Sequence, residues 1–410
     1  MRIASAALFL LLAASCAPDI PRDEPGQFVV AQFDPAAIVP VVPTPNDLAI
    51  DPVTGLVALP DAPNATAAEK EFNKYLRTLD GFPTAATATA TFDGDLDPAT
   101  VTTEHVRVFD ATDATAKELT PTEVKWDAAS KAITVKAPWE RARTYVIALV
   151  GGDNGLRGAS GLRVVGSPTF VLARASKPLV TCTDLTAPDC KPVTPLITGS
   201  DADDTRSKAL SLERYRRELQ PAFAFLETAG IKREDVAGAW AFTTVKMALA
   251  TFDPAKKVVP FPNDLLMQNG KVNLPADPAD DAQTVAIKAQ LNQLDGFSTT
   301  AAILTESGPT TGAANDRLDA DSLGSTQFLL VNLAKPTETV GVDVTCKSCG
   351  KAGTAPGTEP DQLRLVPQLP LRSHTQYAMF WIRGVKGLND TKLANTGSAW
   401  ALMRLSTPLV

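Results

Sequence analysis

The sequence predicts a mainly β protein, in which two tandem antiparallel β-sandwiches are joined by a helical linker. Three observations support this prediction: a long segment occurs twice, apolar and polar residues alternate in short stretches between turns, and one amphipathic helical pattern separates the two copies. The 410 residues, of which 44% are hydrophobic, can bury the cores of two or three domains. The 32 prolines and 25 glycines are typical of many turns between short strands.

The N-terminus has the layout of an export signal. Arg2 supplies a positive charge, and the apolar run over residues 6–14 is too short for a membrane-spanning helix, which needs about 20 apolar residues. Small residues follow this run, as they do at a cleavage site. We therefore expect residues 1–15 to be a signal peptide.

The residues "LAASC" resemble the lipobox of bacterial lipoproteins, in which the cysteine becomes the first mature residue and carries acyl chains. The resemblance implies lipid attachment at Cys16, whereas an ordinary secretory signal with an incidental cysteine is the alternative. Several acyl chains anchor stably, at about 0.8 kcal/mol per buried methylene. Residues 16–30 would then be the lipidated cysteine and a tether rich in proline and charge. Ala17 replaces the aspartate of inner-membrane lipoproteins, which favours the outer membrane, on its periplasmic or cell-surface side.

The other four cysteines form two close pairs, Cys182 with Cys190 and Cys346 with Cys349. An oxidising compartment would join each pair as a local disulfide, which agrees with export. A redox-active CxxC is the less favoured alternative for "TCKSCG", because its flanks resemble strand and loop rather than a helix N-terminus. A four-cysteine zinc site is less favoured still, because only one pair has the required spacing.

The duplication is marked by three short sequence motifs, here called words, that recur in the same order. Weaker similarity continues from these words to "SPTFVLARASKPLV" in the first copy and "GSAWALMRLSTPLV" in the second. We therefore predict repeat units at 31–180 and 248–410, with a disulfide loop and helical linker over 181–247. The words are FDP at 33–35 and 252–254, PNDL at 45–48 and 262–265, and LDGF at 79–82 and 294–297.

The repeated words have a structural interpretation. Proline fixes φ, and an Asn or Asp side chain can hydrogen-bond the backbone two residues further on, so PNDL predicts a tight, self-satisfied turn. We expect Leu48 and Leu265 to anchor this turn in the core. Phe82 and Phe297, beside the Asp-Gly turns, would pack their side chains into the core. On this interpretation each copy builds the same corner, which consists of the PNDL turn and the Asp-Gly turn.

The second half of each unit alternates as β-strands do. Tyr145, Ile147 and Leu149 share one face of a predicted strand. Residues 85–175, and more loosely 313–405, resemble the bacterial immunoglobulin-like (Ig-like) domain of cell-surface proteins, in "LDPATV" before the strand "VRVFD", in "TYVIAL" and in "GLRGASG". This resemblance implies that each sandwich is Ig-like.

The linker contains an amphipathic helical pattern. Gly230 suits the C-terminal cap, and Pro221 should kink or divide the helix. We expect the apolar stripe to pack against a neighbouring sandwich rather than to bind a partner. The stripe consists of residues at spacings of three and four: Leu212, Tyr215, Leu219, Phe223 and Leu226.

The FDP, PNDL and LDGF words, together with residues 210–245, resemble the N-terminal, non-catalytic region of bacterial virulence-factor-type extracellular lipases. Those lipases have a later α/β-hydrolase domain whose serine lies in a GxSxG elbow. This chain contains no GxSxG, since "GASG" at 158–161 and "TGSAW" at 396–400 do not fit the spacing. A Ser-His-Asp triad would need His105 or His374, which lie at a strand start and in a turn. We therefore predict no catalytic residues.

One acidic cluster is a weak calcium candidate. Its members occupy positions 1, 3, 5 and 12 of a calcium loop, but Pro98 stands where such loops have glycine, and the flanks resemble strands. A solvated acidic turn is favoured, so we predict no cofactor, and Ca²⁺ is the one alternative. The cluster consists of Asp93, Asp95, Asp97 and Glu104.

Charge and motifs together lead to a functional prediction. A net charge of −7 and a pI near 5.1, without basic runs, argue against nucleic acid as a partner. We predict a non-enzymatic outer-membrane lipoprotein that displays two Ig-like modules for binding or structural roles, with an envelope protein or polysaccharide as partner. One alternative is a lipase- or esterase-related protein, divergent or lacking its catalytic domain. Another is a carbohydrate- or peptide-binding module whose groove Trp139, Trp381 and Trp400 would line.

Overall fold

The computed structural model describes residues 28–404, except for 36, 38–39, 114–116, 255–257, 308–316, 354–358, 383 and 389–391. The predicted signal peptide, Cys16 and the tether up to residue 27 therefore lie outside the described residues. The first strand begins at Phe28, so the last three residues of the predicted tether belong to it.

The described elements are mostly short strands. They follow one another in this order: β1 (Phe28–Ala31), α1 (Ala67–Leu76), β2 (Ala88–Thr91), β3 (Val106–Asp110), β4 (Lys117–Leu119), β5 (Glu123–Asp127), β6 (Ala132–Lys136), β7 (Thr144–Val150), β8 (Arg163–Gly166), α2 (Pro168–Ala173), α3 (Ala202–Thr228), β9 (Val236–Thr243), β10 (Leu249–Ala250), β11 (Met267–Gln268), β12 (Lys271–Val272), α4 (Ala282–Leu291), β13 (Ile303–Glu306), β14 (Phe328–Asn332), β15 (Thr339–Val340), β16 (Val342–Lys347), β17 (Gln362–Pro367), β18 (Tyr377–Trp381), β19 (Ala394–Asn395) and α5 (Gly397–Arg404).

The chain divides into two compact units, each of which is discontinuous in sequence. Within the described residues, unit 1 comprises 28–46, 87–137 and 145–241, and unit 2 comprises 47–86, 138–144 and 242–404. The predicted mainly β fold, made of several small antiparallel sheets, is confirmed. The Ig-like arrangement of those sheets stays a prediction.

Unit 1 is organised around two antiparallel sheets. One has the strand order β2-β6-β5, and the other has the order β4-β3-β7-β9. β1 and β8 add a short parallel pair. The sheets bury Phe109, Ile133 and Ile147 completely. Phe225 of α3 packs its ring 4.9 Å from that of Phe109, so the helix covers one face of the four-stranded sheet.

Unit 2 contains the sheets of the second copy, β13-β17-β16 and β15-β14-β18. Both contribute to one buried cluster, with Phe328 and Leu330 from β14 and Leu363 and Leu365 from β17. The two copies of the repeat build matching elements in the same order, and β10 with β19 repeats the parallel pair of β1 with β8. β9, which lies in the predicted linker, adds a fourth strand to the β4-β3-β7 sheet of the first copy, and none of the described strands takes the corresponding place beside β18.

The linker helix is present and longer than the sequence pattern indicated. α3 has 27 residues, and all five residues of the predicted apolar stripe are buried in it. Gly230 has a φ of +81°, and Ile231 donates its N–H to the Leu226 carbonyl at 2.8 Å, so the predicted cap is formed. Pro221 lies inside the helix without dividing it. Of the two effects predicted for Pro221, division of the helix does not occur, and a kink stays a prediction.

Both predicted cysteine pairs are joined, with Cα atoms 5.1 Å apart for Cys182 and Cys190 and 5.8 Å apart for Cys346 and Cys349. The first disulfide loop is fastened to α3. Arg217 Nη2 donates to the Cys182 carbonyl at 3.0 Å.

A buried carboxylate organises the same part of α3. Glu213 is fully buried and accepts hydrogen bonds from the Arg216 and Arg217 guanidinium groups and from the Leu179 N–H. Burial acts to raise the pKa of Glu213, but the hydrogen bonds from Arg216, Leu179 and Arg217 outweigh it and hold the pKa below its usual value.

The lowered pKa of Glu213 predicts an acid-dependent loss of stability. Because the folded pKa lies below the unfolded value, the stabilisation is complete above the unfolded pKa of about 4.5 and is lost as the pH falls through the folded pKa. Wild type should have a higher free energy of unfolding than Glu213→Gln. We expect the difference between the two proteins to be smaller at pH 3 than at pH 7. Urea unfolding at the two pH values measures this difference. An unchanged difference would contradict the role assigned to Glu213.

Candidate functional site: a strand clamp built from the repeated words

The first PNDL word holds a distant strand. Asp47 Oδ1 accepts the N–H of Thr243 at 2.7 Å, and Asp47 Oδ2 accepts the Thr243 hydroxyl at 2.6 Å. Asp47 is only 8% exposed. The local turn exists, since Ile50 donates its N–H to the Asp47 carbonyl. The predicted turn is therefore formed, and the Asp47 carboxylate also binds Thr243, a contact that the sequence pattern did not predict.

The first LDGF word holds the next residues of the same strand. Asp80 Oδ1 accepts the N–H groups of Lys246 and Met247 at 2.9 and 3.1 Å. Phe82 donates its N–H to the Thr243 carbonyl at 2.8 Å and accepts the N–H of Val245 at 2.9 Å. We call Asp47, Asp80, Gly81 and Phe82 the first clamp, and the extended residues 243–247 its strand.

Gly81 shows how closely the strand approaches. A Cβ atom at Gly81 would lie 2.7 Å from the carbonyl carbon and oxygen of Thr244. The φ of Gly81 is not positive, so glycine is required here by the close backbone approach rather than by conformation.

The strand of the first clamp continues β9, which lies beside β7. Gly151 donates its N–H to the Asp235 carbonyl at 2.7 Å, and Thr244 donates its N–H to the Arg143 carbonyl at 2.9 Å. These two bonds make β9 antiparallel to β7. All eight residues of β9 are buried.

The second clamp consists of Asp264, Asp295, Gly296 and Phe297, and no described residue occupies it as residues 243–247 occupy the first. The Asp264 side chain is exposed, and among the described residues its carboxylate accepts one hydrogen bond, from Gln376 Nε2 at 3.1 Å. Asp295 is also exposed, and it has no hydrogen-bond partner among the described residues. A Cβ at Gly296 would meet no atom within 4 Å in the described part of the chain.

Two sequence-based expectations for this corner fail in the second copy. Leu265 is 63% exposed rather than anchored in the core, and Phe297 is only half-buried, whereas Phe82 is 4% exposed. The reason is that the strand that closes the first corner has no counterpart among the described residues of the second.

Among the described strands, the edge of the second sheet is open in the same way. β18 is the last strand in the order β15-β14-β18, whereas its counterpart β7 lies between β3 and β9. Ile382 donates its N–H to the Gln327 carbonyl and Leu333 donates to the Gln376 carbonyl, so the even-numbered residues of β18 bond towards β14. Because backbone groups alternate along an antiparallel strand, those of Met379 and Trp381 face the open edge.

Matched glycine variants test the clamp directly. We expect Gly81→Ala to lower the free energy of unfolding by about 2 kcal/mol, since the new methyl group overlaps the Thr244 backbone. Gly296→Ala should change it by less than about 0.5 kcal/mol, because its surroundings are open. Urea unfolding of both variants measures the difference. Equal effects would contradict the assignment of a filled and an open clamp.

Each histidine lies in a turn that precedes a strand. The His105 Nδ1 atom lies 2.7 Å from the Thr100 carbonyl oxygen in the turn before β3. His374 is exposed in the turn before β18, with a φ of +50°.

Three members of the acidic cluster proposed as a calcium candidate accept hydrogen bonds from backbone N–H groups. Asp93 Oδ1 accepts the Val30 N–H at 2.7 Å, and Asp97 accepts the Ala99 N–H at 3.0 Å at the start of a short 3₁₀ turn. The Asp95 carbonyl accepts the Ala159 N–H, and Glu104 is exposed. Among the described residues, no group of three or more His, Cys, Asp or Glu is placed to hold a metal ion.

The three tryptophans proposed to line a groove pack against other rings. Trp139 is 7% exposed, lies edge-on to Phe242 at 5.0 Å and donates its ring N–H to the Ala86 carbonyl. Trp381 packs on Phe328, with ring centroids 5.6 Å apart. Trp400 packs 5.7 Å from Tyr75. These contacts favour core packing over a carbohydrate platform.

The described surface has a depression of ≈310 Å³ in unit 1, lined by Glu104, Arg107 and Glu118, among other residues. Arg107 and Glu118 in its wall form an ion pair with each other. A depression of ≈320 Å³ in unit 2 is lined mostly by polar residues, including Asp319, Asp321 and Lys386.

Comparison with known proteins leaves the chain without an assigned family. No protein family and no curated protein matches it. Solved structures of the bacterial S-layer protein SbsC show a distant likeness. Its N-terminal part is 20% identical over 19% of this chain, with a TM-score of 0.16, and a longer piece, rSbsC(31-844), is 20% identical over 22%, with a TM-score of 0.17. This chain spans 18% and 11% of those two chains. Domains 1–6 of the same protein are 10% identical over 76% of this chain and 53% of theirs, with a TM-score of 0.17.

TM-scores this low do not indicate a shared fold, and nothing about function follows from them. Within the part of the chain that the structure describes, none of the helices combines the length and apolar character that crossing a bilayer requires.

Proposed function

We propose that this chain is a non-enzymatic cell-envelope lipoprotein, attached to the outer membrane through Cys16, that displays two Ig-like modules for binding or structural roles. The observation that carries the proposal is the use of the repeated words. Asp47 and Asp80 hold main-chain groups of a strand, so the most distinctive residues of the chain serve architecture and strand binding.

A further feature supports an exported protein. The local disulfides Cys182–Cys190 and Cys346–Cys349 suit an oxidising compartment outside the cytoplasm.

Lipid attachment is tested by expressing the full chain in a bacterium with labelled palmitate. Wild type should incorporate the label and sediment with membranes, and Cys16→Ser should do neither, because it lacks the thiol that is acylated. Ser15→Ala is the matched control and should behave as wild type. An unlabelled wild-type protein would remove the anchor from the proposal.

The absence of catalysis is tested with p-nitrophenyl esters of short and long acyl chains on the full chain, purified in mild detergent. A serine-reactive fluorophosphonate serves as the second probe. The proposal expects neither turnover nor labelling. Labelling of a single serine, with turnover that its alanine variant loses, would establish the lipase-related alternative.

A further inference from the structure

We propose that unit 2 binds an extended strand of a partner polypeptide, which pairs with the open edge of β18 and is held by the second clamp. This proposal specifies the binding role proposed above and rests on it. It is independent of the lipid anchor, so its failure and that of the anchor are distinguishable.

The first copy shows what a completed site contains. A strand lies beside β7, and its continuation enters a clamp in which two aspartates accept three N–H groups and one hydroxyl. The second copy repeats the acceptor side of this arrangement. Its corner has the same backbone pairing, since Phe261 and Leu304 exchange hydrogen bonds as Thr44 and Thr89 do.

Gly296 is the most specific sign that a backbone belongs in the second clamp. Its counterpart Gly81 is glycine because the Thr244 backbone passes within 2.7 Å of the position of a Cβ atom. Gly296 does not have a positive φ, and the described residues leave the space beside it empty. A glycine at this position leaves room for a strand that the second copy does not itself supply.

Apolar side chains that are covered in the first copy are exposed in the second. Leu294 is 47% exposed where Leu79 is 0%, and Ile382 is 43% exposed where Val150 is 9%. The edge strand "YAMFW" contains neither proline nor a charged residue, the features with which free edges avoid pairing. The edge is therefore suited to strand addition, in which main-chain bonds supply affinity and side-chain pockets supply specificity.

The chemistry of the occupant follows from β9 and its continuation. The partner strand should be apolar, with small residues where it crosses the sheet, as in "VAGAWAFT". It should then present a threonine whose N–H and hydroxyl face Asp264, followed by two free N–H groups for Asp295, as Thr243, Lys246 and Met247 do in the first clamp.

A separate polypeptide fits these requirements better than a second copy of this chain. The strand of matching chemistry in this chain is β9, and all of it is buried in its own sheet, so a second copy would first have to release it. Direct pairing of two β18 edges would leave Asp264 and Asp295 without the N–H groups that the clamp accepts.

The test uses a fluorescein-labelled peptide with the sequence of residues 234–248, "EDVAGAWAFTTVKMA", and the full chain purified in mild detergent. Fluorescence anisotropy should show saturable binding of one peptide per chain, and a scrambled peptide should not bind. Hydrogen exchange should slow at the Met379 and Trp381 amides when the peptide is bound. These amides face the open edge, and a purely hydrophobic association would not protect them.

Two variants with matched controls locate the site. Gly296→Val and Asp295→Asn should each weaken binding about tenfold or more, through a steric block and through loss of a charge-assisted acceptor respectively. Ser298→Val and Asp321→Asn, at exposed positions nearby and elsewhere in unit 2, should leave binding unchanged. All four variants should keep the urea midpoint of wild type. Asp295, Ser298 and Asp321 are exposed, and the position of a Cβ atom at Gly296 is open in the described part of the chain.

Three results would overturn the proposal. The first is absence of saturable binding, and the second is binding that Gly296→Val and Asp295→Asn leave intact. The third is concentration-dependent dimerisation in sedimentation experiments that Gly296→Val abolishes, which would identify a second copy rather than a separate polypeptide as the occupant.

Discussion

Asp47→Ala is expected to lower the free energy of unfolding by about 3 kcal/mol, whereas Asp264→Ala, the same change in the second copy, should alter it by less than about 0.5 kcal/mol. The Asp47 carboxylate is buried, and its removal leaves the N–H and the hydroxyl of Thr243 without their acceptor. Asp264 is exposed, so water replaces its contact with Gln376.

Urea unfolding followed by circular dichroism measures both Asp47→Ala and Asp264→Ala. Both residues lie in unit 2, so the same unfolding transition reports on both. A small effect of Asp47→Ala would mean that the first clamp does not hold its strand. A large effect of Asp264→Ala would mean that the second clamp is already occupied.

Glu213→Ala should have the other large effect and lower the free energy of unfolding by about 3 to 5 kcal/mol. The reason is that removing one partner of a buried ion pair leaves an uncompensated charge. The Arg216 guanidinium is 8% exposed and is held by both Glu213 oxygens at 2.8 Å. The Leu179 N–H also loses its acceptor, at 2.8 Å.

Glu227→Ala is the matched control on the same helix. Glu227 pairs with Arg233 at 2.8 Å, but its side chain is 46% exposed, so its loss should change the free energy of unfolding by about 0 to 1 kcal/mol. Urea unfolding of the two variants compares them. Similar effects would show that the buried network around Glu213 does not hold α3 in place.

Local patterns allowed much of the fold to be predicted. The spacing of the apolar residues predicted α3, because a helix that packs on one face repeats its buried positions every three or four residues. Gly230 predicted the end of the helix, because a left-handed cap favours glycine. The close cysteine pairs predicted local disulfides, which require no long-range information.

β9 could not be predicted from alternation. Alternation indicates a strand with one buried and one solvated face, but all eight residues of β9 are buried, so no polar face marks it. The run "VAGAWAFT" therefore falls within the linker that the sequence predicts. Its apolar character and its position just before the second copy were the available signals.

The clamps were beyond sequence reasoning for a different reason. Asp47 and its partner Thr243 lie 196 positions apart, and nothing local connects them. The PNDL word predicts its own turn correctly. Because this turn is enough to explain the residue types of the motif, nothing in the sequence indicates that Asp47 also binds Thr243. The exposure of Leu265 is likewise decided by whether a distant strand covers it.

Residue-resolved hydrogen exchange on the full chain without any partner tests the central claim most directly. The pairs to compare are the Ile147 amide with that of Met379 and the Leu149 amide with that of Trp381, which occupy matching positions on β7 and β18. We predict that Met379 and Trp381 exchange at least about a hundredfold faster than Ile147 and Leu149, because among the described strands β7 has a neighbour on that side and β18 has none. Equal protection of the two pairs would contradict the account, because it would show that the edge of β18 is already filled.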